Sequence, residues 1–200
     1  LTVNKRPITI VVSADDKEYD AEAVTVTATP NNLFDEDQIA LVYSYTWSRD
    51  QDSREFVENG AVGAYTNAIV DDEGAWAGTW TVTVTLGTGG DTANYELEVE
   101  SGYSDGFEIF KRTLNISFAQ KNYTLTYGEA LVPANVYSLN STGWQGNDET
   151  ELEGQLSLTY TTERDGTPYA PGAENGSVGD YTVTVSCSNA ASLLGNYNYN

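Results

Sequence analysis

The chain reads as all-β, built as two tandem copies of an antiparallel-sheet domain, and three observations predict this. Thr, Val, Tyr, Gly and Asn recur throughout the 200 residues while Met and His are absent, a mixture of pleat-filling and turn-forming types. Apolar residues alternate with Thr, Ser and Glu at the period of two expected of sheets wet on one face. A set of landmarks occurs twice in the same order, the signature of a repeat.

In the first copy Ile8, Ile10 and Val12 share one strand face. Val24, Val26 and Ala28 follow, then Leu41, Tyr43, Tyr45 and Trp47. Trp80, Val82, Val84 and Leu86 form the next row, and Tyr95, Leu97 and Val99 the last. The second copy offers Leu114, Ile116 and Phe118; Tyr123, Leu125 and Tyr127; Leu156, Leu158 and Tyr160; and Tyr181, Val183 and Val185. Asn59-Gly60, Asp165-Gly166 and Asn175-Gly176 predict turns with positive φ. No stretch shows helical periodicity with caps, so little helix is expected.

The repeat itself begins with Leu1–Ile10, which matches Phe107–Ile116 and sets Lys5-Arg6 against Lys111-Arg112. Tyr45–Asp50 faces Tyr160–Asp165, Gly78–Val84 matches Gly179–Val185, and Asn94-Tyr95 matches Asn196-Tyr197. Val62–Thr66 also resembles Val178–Thr182, which leaves that part of the alignment open, and the first copy is expected to carry an extra hairpin near Val70–Gly74. The boundaries that follow are 7–111 and 112–200, with 1–6 as the tail of a preceding repeat or a linker. No Gly/Ser linker separates the copies, which predicts a stiff, elongated, end-to-end array. Leu1–Val3 stands where the closing strand of a repeat would stand, so the chain is expected to be part of a longer array.

Thirty acidic and nine basic side chains give a net charge of −21. Nucleic acid is thereby a poor partner, because phosphates are bound through clustered Lys and Arg. An anionic membrane surface is equally poor, and no run of 18 apolar residues inserts into one. The single Cys187 precludes an intrachain disulfide framework; in phase with Tyr181, Val183 and Val185, it reads as a small buried hydrophobe.

These landmarks resemble the MBG and YDG repeat domains of large bacterial cell-surface proteins and adhesins. The second copy is similar to the YGX type through Lys111–Ile116, Tyr127-Gly128-Glu129, Gly146–Glu149, Leu152–Gly154, Val178–Val183 and Asn196-Tyr197. The first is closer to the YDG type through Lys17–Asp20, Ala77–Trp80 and Ala93–Tyr95, but has Ala21 where that motif has Gly. The resemblance implies a secreted array at the bacterial surface or wall, a stalk or adhesion role, and neighbouring repeats of the same chain as partners. It implies a β-grasp-like fold, whereas the strand pattern fits an immunoglobulin-like sandwich equally well.

Without His there is no Ser-His-Asp or Cys-His arrangement and no imidazole ligand. Paired carboxylates are available by count, but Glu96, Glu98 and Glu100 alternate as a solvated strand face does. The chain is therefore read as non-enzymatic, with no cofactor. Asp35-Glu36-Asp37, Asp71-Asp72-Glu73 and Asn147-Asp148-Glu149 offer the oxygen ligands Ca²⁺ takes, though without EF-hand spacing. Asp35, Asp37, Asp71 and Asp72 are the metal candidates, set against a simpler reading as solubilising turn acids. Trp76 and Trp144 lie in Gly-rich turns and are the candidates for exposed rings that stack on host or environmental glycans, while Trp47 and Trp80 sit in core rows. An intramolecular Lys–Asn bond would need Lys5, Lys17, Lys111 or Lys121 to meet Asn94 or Asn196 in an apolar core, against the default of exposed lysines.

Overall fold

A computed structural model describes residues 1–69, 75–119, 122, 124, 126, 127, 139–168, 178–187 and 194–200. It divides into two compact units, Leu1–Lys111 and Arg112–Asn200. The chain is all-β: 58% of the described residues lie in strands and 8% in helices.

Unit 1 contains β1 (Arg6–Ser13), β2 (Lys17–Glu18), β3 (Val24–Asn31), β4 (Ile39–Arg49), β5 (Asp52–Asn59), β6 (Thr66–Ile69), β7 (Gly78–Gly90), β8 (Tyr95–Leu97) and β9 (Tyr103–Phe110). One sheet has the order β6-β3-β1-β8 and the other β2-β9-β7-β4-β5. With β1, β3 and β6 in one layer and β4, β7 and β9 in the other, this is the division of an immunoglobulin-like sandwich. A β-grasp lays a helix across one sheet; here there are two sheets, and the longest helix among the described residues has five residues.

The period-two rows become the two inner faces. Ile8, Ile10, Val26 and Ala28 face inward from the first sheet, and Tyr43, Tyr45, Trp47, Trp80, Val82 and Val84 from the second, all at 3% exposure or less. Burial of such side chains contributes about 1.5–3 kcal/mol each. Asn67 on β6 ties the layers by donating to Tyr45 Oη at 3.0 Å on β4 and to Glu58 at 2.6 Å on β5.

Unit 2 contains β10 (Arg112–Phe118), β11 (Leu139–Thr142), a short helix α1 (Asp148–Leu152), β12 (Leu158–Arg164), β13 (Thr167–Pro168), β14 (Tyr181–Cys187) and β15 (Tyr197–Tyr199). Its described sheets are β11-β10-β15 and β13-β12-β14. The expected Tyr123/Leu125/Tyr127 row, the Asn175-Gly176 turn, Lys121 and the Val70–Gly74 hairpin lie wholly or partly outside the described residues.

The units share their registers. β1 runs parallel to β8, with Arg6 opposite Tyr95 and Ile8 opposite Leu97; β10 runs parallel to β15, with Arg112 opposite Tyr197 and Leu114 opposite Tyr199. The pairings continue with Glu98 N–H donating to Ile8 C=O at 3.0 Å and Asn200 N–H to Leu114 C=O at 2.9 Å. β1 pairs antiparallel with β3 through Thr9 and Asn31, as β10 pairs with β11 through Asn115 and Thr142.

Two expectations are corrected. Gly78–Val84 and Gly179–Val185 do build equivalent strands against β4 and β12, but displaced by two residues. Trp47 faces Trp80 in unit 1, whereas Thr162, the counterpart of Trp47, faces Val183 in unit 2. A slip of two keeps each side chain on its original face, which is why the sequence pattern conceals it. The Val62–Thr66 alternative leads instead into β6 against β3. At the turns, Asp165 and Gly166 have φ of 50° and 74° as predicted, but Gly60 is not left-handed. Its amide continues the pairing to Leu41 C=O at 2.9 Å, and an added Cβ would lie 3.0 Å from the Tyr43 ring.

Candidate functional site

The side-chain arrangement that recurs in both units is a tyrosine clamped between a turn and an acid. Tyr95 and Tyr197 each follow a 3-10 turn, Thr92–Asn94 and Leu194–Asn196, and each starts the short strand beside the first strand of its unit. In unit 1, Tyr95 Oη accepts from Phe34 N–H at 2.9 Å and donates to Asp37 at 2.6 Å. In unit 2, Tyr197 Oη accepts from Gln145 N–H at 3.0 Å and donates to Asp148 at 2.5 Å. Each acid also closes its turn by donating its backbone N–H three residues back, to Phe34 C=O and Gln145 C=O, both at 3.0 Å. Left-handed residues stand at the same two places, Asn32 and Asp35 in unit 1 and Gly143 and Gly146 in unit 2. Asn31–Asp37 and Thr142–Asp148 are thus one element written in two sequences. Burial pushes the Tyr95 phenol above its ordinary pKa, and the bond donated to Asp37 adds to this.

This arrangement gives Asp37 a definite occupation: it is the acceptor of a buried tyrosine. Asp35 is exposed and serves the turn through its left-handed φ of 49°. Asp71 and Asp72 lie outside the described residues. Among the described residues, no three acidic or cysteine side chains gather where a metal ion could be held.

The two tryptophan candidates separate. Trp76 is 6% exposed, not an open platform. Its ring meets Trp47 edge-on at 5.3 Å and Phe56 at 6.2 Å, and the Arg54 guanidinium lies 4.2 Å from its centroid. The turn docks onto the sheet because Trp80 Nε1 donates to Trp76 C=O at 2.9 Å and Trp47 Nε1 to Ala77 C=O at 3.3 Å. Gly78 permits that approach: its φ is 146°, and a Cβ there would lie 2.6 Å from Trp47 Nε1. Trp144 remains half-exposed. It leans edge-on against Tyr197 at 5.4 Å, and its Nε1 donates to Ser141 Oγ at 2.9 Å, which donates to Glu153 at 3.0 Å.

Elsewhere, Glu96, Glu98 and Glu100 are exposed and line an open groove of about 540 Å³ with Thr85, Leu86 and Leu97. Lys17 donates to Glu22 C=O at 3.1 Å and pairs with Asp20 at 2.5 Å, while Asn94 is exposed and Asn196 is fully buried. Cys187 is half-buried rather than buried, and burial raises its thiol pKa.

Sequence reading aligned the two tyrosines but missed their partners, since Asp37 and Asp148 were visible only as members of acid-rich loops. The available signal was an Asp two residues after an Asp or Gly able to take a left-handed φ. The geometry defines two all-β units, the first a sandwich, that each carry the same structural clamp. No family model, curated protein or solved structure matches the chain.

Proposed function

We propose that this chain is a non-catalytic, extracellular repeat module of a bacterial surface protein, serving as stalk or adhesion segment in the manner implied by its resemblance to MBG and YDG repeats. The observation that carries the reading is how each unit would meet tension along the chain. β2 lies parallel to the end of β9 through Lys17–Ile109 and Glu18–Phe110, reinforced by Tyr19 N–H to Phe110 C=O at 2.9 Å. β10 lies parallel to β15 in unit 2. Pulling the early strand backward and the late strand forward shears several backbone hydrogen bonds together instead of opening them singly. The net charge of −21 also suits a solvated surface segment.

Force spectroscopy on the chain, tethered at both ends, tests this. Two unfolding events are expected, releasing up to about 39 nm and about 31 nm at roughly 3.5 Å per residue. Both should require more force than opening a β-hairpin from its ends. Yielding at hairpin force overturns the stalk reading. The competing reading, a carbohydrate-binding module, is favoured by the half-exposed Trp144 alone; glycan-array binding lost in Trp144→Ala would select it.

A further inference from the structure

We propose that Asp165-Gly166 is a site of spontaneous covalent modification, at which the main chain isomerises through a cyclic imide to isoaspartate. The inference stands apart from the stalk reading, because it follows from the chemistry of one turn whatever the chain does.

The sequence places a carboxyl or carboxamide side chain before glycine four times, at Asn59-Gly60, Asp105-Gly106, Asp165-Gly166 and Asn175-Gly176. Glycine matters there because the following backbone nitrogen is the attacking group. A larger side chain shields that nitrogen, and only a permissive backbone lets it swing toward the acid. Asn175-Gly176 lies outside the described residues. The other three differ in what holds the nitrogen and the acid.

At Asn59-Gly60 the Gly60 N–H donates to Leu41 C=O at 2.9 Å, continuing the pairing of β5 with β4. Asp105 and Gly106 lie inside β9, opposite Val82 and Thr81 of β7. The Asp105 carboxylate accepts from Ala14 N–H at 3.1 Å through one oxygen and from Gly106 N–H at 3.0 Å through the other. Both bonds favour the ionised carboxylate, which has no oxygen ready to leave as water. Turning the peptide to attack would also break the ladder.

Asp165-Gly166 has neither restraint. Both residues are exposed and form the two-residue turn between Arg164 and Thr167. Among the described residues the Gly166 N–H donates to no group, and a Cβ added to Gly166 would meet nothing within 4 Å. The Asp165 side chain is 65% exposed, and its ion-pair partner Arg164 Nε stands at 3.6 Å, beyond hydrogen-bond length. Exposed turn tips are also where a chain opens locally at least cost. Unit 1 contains an internal control. Asp50 occupies the equivalent turn with φ of 55° against 50° for Asp165, but Gln51 follows it.

In the reaction the Gly166 nitrogen bonds to Asp165 Cγ and a Cγ–O bond breaks. The oxygen leaves as water, carrying the amide hydrogen and the carboxyl proton. A water molecule then opens the five-membered ring. Attack at Cγ restores aspartate, whereas attack at the Asp165 backbone carbonyl breaks its bond to nitrogen and leaves the chain running through Cγ. No oxidant or reductant is consumed. The product adds one carbon to the main chain of a turn whose length fixes the register of the strands it joins.

Ageing the whole purified chain in warm, mildly acidic buffer made with heavy-oxygen water tests the proposal. Isoaspartate and heavy oxygen should accumulate at residue 165, located by electron-transfer fragmentation, at least about tenfold faster than at Asp50 or Asp105. Gly166→Ala should slow the reaction by about tenfold. Asp165→Glu keeps the charge but would need a six-membered ring, and should abolish it. Circular dichroism checks that both variants keep the fold. A chain that gains no heavy oxygen at residue 165 overturns the proposal, and so does equal accumulation at Asp50 or Asp105.

Discussion

Replacing Tyr197 with Phe removes one oxygen from a ring that is 2% exposed and leaves the shape of the core unchanged. The lost oxygen donates to Asp148 and accepts from Gln145 N–H. A bond to a charged group contributes about 1.5–3 kcal/mol and a neutral bond about 1 kcal/mol, so unit 2 should lose roughly 2.5–4 kcal/mol. Asp148 is 8% exposed, so water restores little of what the carboxylate loses. With a denaturant slope of about 1.5 kcal/mol/M, the urea midpoint of unit 2 should fall by roughly 2 M. Hydrogen exchange followed by mass spectrometry across the urea series separates this transition from that of unit 1, which should not move. Asp148→Asn keeps an acceptor but discards the charge, and should cost about half as much. A loss below about 0.5 kcal/mol for Tyr197→Phe, with the slope unchanged, would refute the view that the clamp holds β15 against β10.

Three further outcomes follow from particular residues. Trp76→Ala should destabilise unit 1 by about 3–5 kcal/mol in chemical denaturation, as removal of a buried aromatic does, whereas an exposed sugar platform would leave the midpoint in place. Ala21, whose φ is 59°, stands where the resembling motif has Gly; Ala21→Gly should stabilise unit 1 by about 1 kcal/mol, measured as a raised urea midpoint. Burial raises the pKa of Tyr45 and of Tyr43 above the ordinary value of 10.0. The unfolded chain releases these protons first, so unit 1 keeps its full stability below pH 10 and loses it as pH climbs beyond. Phenolate absorbance should rise for these rings only together with unfolding; free titration of Tyr45 in the folded chain at pH 10–11 would contradict its burial.

What could be read in advance depended on whether a feature is periodic. Trp47, Trp80, Val82 and Val84 are legible as core because alternation reports the inner face of a strand directly. The two-residue displacement of β14 is hidden for the same reason, since alternation is blind to even slips. At Trp76 a Gly-rich turn suggests exposure, whereas the close approach permitted by Gly78 folds that turn onto Trp47 and buries the ring. The clamp was the least legible feature: Asp35 and Gly146 perform the same backbone task with different side chains, and their kinship shows only in φ. An acid in a loop has the same spelling whether it faces a cation, solvent or a phenol, so the bond from Tyr95 to Asp37 shows only in the structure.

The clamp also has a temporal side. It joins residues 58 positions apart in unit 1 and 49 apart in unit 2, and the amide of Asn200 meets that of Asn115 across 85 residues. Such distant closures give little reward until nearly the whole unit has been synthesised, and domains dominated by them fold slowly. β1 and β10 are therefore the first strands of their units to leave the ribosome and among the last to find their parallel partners. In the interval β1 and β10 can pair with β3 and β11 but keep their other edge open, so the ladder that closes each unit is completed from its two ends.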